Sequence, residues 1–137
     1  MKKTISAIFA FILIFTFLLN TVAFAATMAD PYISSMSGGI ASEGNGKIKI
    51  TFSVRAKDIM STLGATSIVI YKSDGSYVTT LYSTSYPSML TTNARTYSSS
   101  VNYNGVSGQN YYAIITFYAS TGGGSSSPTY TTSVCTA

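Results

Sequence analysis

The chain has 137 residues, eight of them Lys or Arg against four Asp or Glu, for a formal net charge of +4, with no His and a single Cys. Without His the commonest general base and metal ligand is missing, and one Cys excludes an intrachain disulfide framework. Lys2 and Lys3 lie in an apolar N-terminal segment, so the remainder holds six basic residues against four acids, a net charge of +2; a balance that small does not point to nucleic acid or a polyanion as partner.

Lys2 and Lys3 precede an uncharged run over residues 5–19, and a short tail ends Ala23-Phe24-Ala25. A basic start, an apolar stretch and small residues before the cut predict a secretory signal peptide over residues 1–25, cleaved after Ala25. The rival reading is an uncleaved anchor. It needs roughly 20 apolar residues, and the run is broken by Asn20 and Thr21. No Cys follows to be acylated and no apolar tail closes the sequence, so residues 26–137 are expected to be released outside the cell as one domain. Contact with a membrane is expected only through the signal segment, if it is retained. Beyond residue 25 the only Phe are Phe52 and Phe117, while all eleven Tyr remain; Tyr accepts half-wet positions that Phe does not. With the abundant Thr, Ser, Val and Ile, this is the composition of a β domain.

Taken in chain order, residues 32–37 and 40–43 read as a first strand broken at Gly38-Gly39 by a kink or bulge. Gly44-Asn45-Gly46 is a turn. Residues 47–57 then alternate strictly: Ile48, Ile50, Phe52, Val54 and Ala56 against Lys47, Lys49, Thr51, Ser53, Arg55 and Lys57. Successive strand side chains point to opposite faces, so this strand has one buried and one wet side. Asp58, Ile59, Met60, Leu63 and Gly64 suggest one capped helical turn. Residues 66–72 form the next strand and turn at Ser73-Asp74-Gly75-Ser76 into residues 77–82, a hairpin signal. Residues 83–93, with Pro87, read as a crossing loop. A strand over 97–103, a turn at 104–108, a strongly apolar strand over 111–120, a Gly/Ser turn at 122–127 and a last strand over 129–135 complete the series.

Seven or so short strands with frequent turns predict an all-β, antiparallel sandwich of immunoglobulin or fibronectin type III kind, with a small barrel as the alternative. The segment from Phe52 through Arg55, Asp58, Gly64 and Ile68 to Tyr71, followed by Gly105-Val-Ser-Gly108-Gln-Asn-Tyr111-Tyr112-Ala113 and on to Ala119, looks like a group of small secreted proteins of clostridial-type Gram-positive bacteria. The resemblance spans nearly all of residues 26–137. It implies export and a β domain, and supplies no active site to carry over. Val106, Gly108 and Tyr111 or Tyr112 also resemble the turn before the tyrosine corner of fibronectin type III modules, whereas the Trp and Cys pair of antibody domains is missing.

Candidate chemistry is sparse. The four carboxylates, Asp30, Glu43, Asp58 and Asp74, form no close pair in sequence and no calcium loop. Asp74 in Ser-Asp-Gly-Ser fits a turn residue that bonds its own backbone; Lys57 and Asp58 fit a solvated strand end and a cap. Gly122-Gly123-Gly124 is followed by neither a helix nor a Lys, so it is no phosphate loop. No enzyme activity, cofactor or metal is expected. Cys135 is either a small hydrophobe on the last strand or a bridge between copies.

What remains is surface. If Ile68 and Ile70 face the core, Val69 and Tyr71 face out; if Tyr111, Ala113, Ile115 and Phe117 face in, then Tyr112, Ile114 and Tyr118 face out. In an immunoglobulin-like sandwich these strands are neighbours, so Val69, Tyr71, Tyr112, Ile114 and Tyr118 would share one outer face. A register error of one residue would reverse the assignment. The expected role is a secreted, non-catalytic binding or adhesion-type module for a protein or glycan, the alternative a structural subunit that joins copies of itself.

Overall fold

The computed structural model describes residues 30–137, so the expected signal segment and its cleavage point lie outside the described residues. The chain builds β1 (Ile33–Gly44), β2 (Lys47–Lys72), β3 (Tyr77–Tyr82), a 3-10 turn (Pro87–Met89), β4 (Leu90–Asn104), β5 (Asn110–Thr121), β6 (Gly124–Ser126), β7 (Thr129–Thr131) and β8 (Cys135–Thr136). Every pairing is antiparallel, and all eight strands belong to one curled sheet.

The organising element is β2, 26 residues long. At about 3.3 Å per residue a straight strand of that length would span roughly 85 Å, several times the radius of a domain this size, so it has to turn a corner. Its first part, residues 47–55, runs between β1 and β4; the ladder to β4 breaks between Arg55 and Met60; its last part, residues 67–72, runs between β3 and β5. The alternation over residues 47–57 produces the expected two faces, with Ile48, Ile50, Phe52, Val54 and Ala56 buried and Lys47, Thr51, Ser53, Arg55 and Lys57 exposed. The two halves of the sheet close on one core, in which Phe52 meets Phe117 edge-on at 6.1 Å.

Three local expectations need correction. Residues 58–64 are not helical. They stay extended within β2, with Ile59 64% exposed and Met60 and Leu63 buried. Thr62, Leu63 and Gly64 pair with β4 on one side and β5 on the other, and ladder bonds on both sides outweigh a single turn with its costly nucleus. Asp58 still accepts the N–H of Ile59 at 2.7 Å, a cap without a helix. Secondly, β1 is not broken at Gly38-Gly39: its pairing with β2 runs without a shift from Ser35 to Ser42, and the irregularities lie at its ends, between Ile33 and Ser35 and between Ser42 and Gly44. Gly38 serves close approach instead, since a Cβ there would sit 2.5 Å from Ile115 Cδ1. Thirdly, the loop over 83–93 is shorter than expected, because β4 already starts at Leu90.

The expected last strand over 129–135 is divided into β7 and β8, and the expected Gly/Ser turn at 122–127 shrinks to Gly122 and Gly123 because β6 already pairs at Gly124; β6, β7 and β8 all pair with β5. Thr132, between two of them, is buried; its hydroxyl accepts the N–H of Ala113 at 3.0 Å and donates to the carbonyl of Ser133. The start of β1 is tied to β6 by Asp30, whose Oδ1 accepts from the N–H of Tyr32 and Ile33 and from the Ser126 hydroxyl. Burial pushes that carboxyl up, but these hydrogen bonds and the Lys57 charge outweigh it and hold its pKa below the ordinary carboxylate value.

At the turn into β5, the Tyr111 hydroxyl accepts the N–H of Val106 at 2.9 Å, and Gly105 leaves room for the ring, because a Cβ there would lie 2.8 Å from Tyr111 Cε2. Of the two tyrosines at this turn, Tyr111 is the buried one and Tyr112 is half-buried. Tyr111→Phe removes one acceptor from a turn whose backbone can partly rehydrate, so a loss of about 1 kcal/mol in urea unfolding is expected.

Candidate binding face

Over residues 111–120 of β5 the side chains alternate: Tyr111, Ala113, Ile115, Phe117 and Ala119 are buried, and Tyr112, Ile114, Thr116, Tyr118 and Ser120 are half-buried on the other side. The same parity holds on β2, where Ile68 and Ile70 are buried and Val69 and Tyr71 half-buried. Register brings the outward residues together. Val69 lies opposite Ile114 and Tyr71 opposite Tyr112, and the rings of Tyr71 and Tyr112 stack at 5.4 Å with 16° between planes. Tyr118 lies on the same side of β5, yet apart from this block: it is opposite Gly64 and separated from Ile114 by Thr116. Four residues of β5 correspond to about 13 Å.

Sequence reasoning missed the contribution of β3. Tyr77 lies opposite Tyr71, its ring edge-on at 6.2 Å, and it is 62% exposed. Its hydroxyl is 3.0 Å from Thr80 Oγ1. The outcome is a strip Tyr77, Tyr71, Tyr112 across three strands, flanked by a row of Thr80, Val69, Ile114 and Thr131. The signal for Tyr77 was the Asp-Gly hairpin, which returns the chain beside Tyr71. Lys72 N–H donates to the Ser76 carbonyl and Gly75 N–H to that of Lys72. Asp74 accepts from the hydroxyl of Ser76 and from its N–H, and these bonds lower its pKa; the carboxylate is occupied by the turn.

The strip offers ring faces and edges, phenolic hydroxyls and threonine hydroxyls on a gently twisted surface, with no carboxylate among the residues that form it. It is suited to stacking on the apolar face of a sugar or a flat protein surface, with hydroxyls to fix orientation. Among the described residues no group of three or more His, Cys, Asp or Glu is arranged to hold a metal ion. A shallow open depression of about 630 Å³ lies elsewhere, on the first half of the sheet, where Ser37, Gly39, Thr51, Ser53, Ser98 and Ser100 line it. Its walls are mostly Ser, Thr and Gly, with Lys49 and Phe52 the larger side chains among them; Phe52 is buried and offers little ring surface, so the depression lacks the exposed aromatic rings that are enriched among the residues dominating recognition surfaces.

No known protein family matches the sequence, and no curated protein does. Among solved structures, a family 76 glycoside hydrolase from a bovine Bacteroides thetaiotaomicron strain is similar over 77% of this chain and 20% of its own, with 10% identity and a TM-score of 0.42. The chain therefore spans about a fifth of the length of that enzyme's chain.

Proposed function

We propose that this chain is a secreted, non-catalytic binding module on an immunoglobulin or fibronectin type III-like sandwich, with the tyrosine face of β2, β3 and β5 as its contact surface for a glycan or protein. The sandwich reading is supported by the pairing order. Residues 47–55 of β2 lie between β1 and β4, and residues 67–72 between β3 and β5, so β2 takes the place of two consecutive strands in two facing sheets. The hydrogen bond from Val106 N–H to Tyr111 supports it further, in the manner of a tyrosine corner. Export rests on the signal-like residues 1–25.

The observation that carries the binding reading is the stacked Tyr71–Tyr112 pair, extended by Tyr77, on the solvent side of three paired strands. An aromatic row of this kind is more than β geometry needs, because threonine or valine fits the same pleat. The test is retention on insoluble peptidoglycan and on cellulose by the parent chain and by Tyr71→Ala/Tyr77→Ala/Tyr112→Ala. The variant is expected to keep its circular dichroism and bind about tenfold or more weakly, at roughly 0.5–1.5 kcal/mol per lost ring contact. Equal retention of parent and variant would count against the face.

A further inference from the structure

One edge of the sheet is built unlike a protected edge. β4 pairs with β2 on one side, and among the described residues no strand pairs with its other side. Free edges are normally blunted by Lys, Pro, a bulge or a covering loop, because a row of open N–H and C=O groups invites another chain. Residues 96–104, Thr-Tyr-Ser-Ser-Ser-Val-Asn-Tyr-Asn, contain no charge and no Pro, and their pairing with residues 47–55 of β2 has no register shift. The opposite edge, β1, has an irregularity at each end of its pairing and carries Glu43.

We propose that residues 96–104 form a self-pairing edge, through which a second copy of this chain adds antiparallel, β4 to β4, about a two-fold axis at Ser100. The occupant is indicated by the sequence of the edge. Around Ser100 its two aromatic residues are placed symmetrically, Tyr97 and Tyr103 each three positions away, and the other matched positions are all uncharged and of modest size: Ser98 with Asn102, Ser99 with Val101, and Thr96 with Asn104. Antiparallel pairing about that centre sets Tyr97 opposite Tyr103 of the second copy, twice over, and aromatic pairs directly opposite one another stabilise a sheet.

Both rings are already positioned at the open side of the core. Tyr97 is half-buried, edge-on to Phe52 at 6.4 Å, and donates its hydroxyl to the carbonyl of Ser88. Tyr103 is half-buried, edge-on to Tyr111 at 6.4 Å. Charge does not oppose the union. Arg95 is exposed on β4 itself, just outside this stretch, and pairing about Ser100 sets the two copies' Arg95 at opposite ends of the joint, ten residues or about 33 Å apart; the other cations in line with the edge, Lys47, Lys49 and Arg55, stand on β2, one strand inside. Across the joint they are three strand spacings from their counterparts, about 14 Å, beyond a screening length of about 8 Å at physiological salt.

An isologous joint of this kind closes after two copies and gives a continuous sheet of β1, β2 and β4 from each. Its two-fold axis is normal to that sheet, so the tyrosine strips of both copies would face the same side. The joint itself does not depend on the binding reading.

The test uses the full chain in light scattering after size exclusion, with reductant present so that Cys135 cannot link copies. Position 100 meets itself at the axis and is exposed, so Ser100→Lys and Ser100→Glu each place like charges side by side in a homodimer. The parent is expected to be a dimer, each variant alone a monomer with the parent's thermal unfolding temperature to within a few degrees, and an equimolar mixture of the two variants a dimer again. Ser37→Lys on the β1 edge is expected to remain a dimer. A monomeric parent, a dimer lost in Ser37→Lys, a dimer retained in either Ser100 variant alone, or no dimer in the mixture would overturn the assignment.

Discussion

Gly64→Ala is expected to leave most of the chain unfolded, or to lower its stability by about 3 kcal/mol or more, with the urea midpoint as the readout. Gly64 has φ of +147°, and a Cβ there would overlap the carbonyl oxygen of Met89 and lie 3.0 Å from Leu90 Cα. Both neighbours are backbone, so no side chain can swing away to make room. The residue also lies where β2 is paired with β4 and β5 at once, so displacing it disturbs both halves of the sheet. For a domain of this size each kcal/mol corresponds to about 4–8 °C in Tm, so the thermal shift should be well outside error.

Phe117→Ala is the second large effect, a loss of about 3–5 kcal/mol. The ring is fully buried, lies opposite Ala65 and meets Phe52 across the core. Its removal leaves a cavity between two strands whose pairing prevents collapse. Tyr118→Ala, one residue on and facing out, is expected to cost well under 1.5 kcal/mol in the same urea experiment. The contrast between adjacent positions is the sharper check, because a shift of register by one residue would reverse it.

The parts of this fold legible in the sequence are those fixed by local pattern. Residues 47–57 and 111–119 alternate so regularly that faces followed directly, and Asp74-Gly75 announced its hairpin. What was not legible depends on partners distant in sequence. Residues 58–64 have the capping and spacing of a helical turn, yet β4 and β5 flank part of them and hold them extended. Gly38-Gly39 looked like a break, but its reason lies in Ile115 on another strand, which no local pattern reveals. The early part of β4, residues 90–96, is polar and lacks alternation because its partner strand is turning a corner, with Asn93 at φ +50°. For the candidate face, parity and neighbour strands located Val69, Tyr71, Tyr112 and Ile114; Tyr77 was missed because β3 was not included, and the distance of Tyr118 from the block follows only from the ladder.

The binding reading is tested most directly by recording amide NMR spectra of the chain while adding soluble peptidoglycan fragments or cello-oligosaccharides. The account predicts saturable shifts grouped at Val69, Tyr71, Tyr77, Tyr112 and Ile114. Shifts grouped instead around Thr51, Ser53 and Ser100 in the open depression, or no shifts with a glycan that retains the chain on a solid phase, would contradict it.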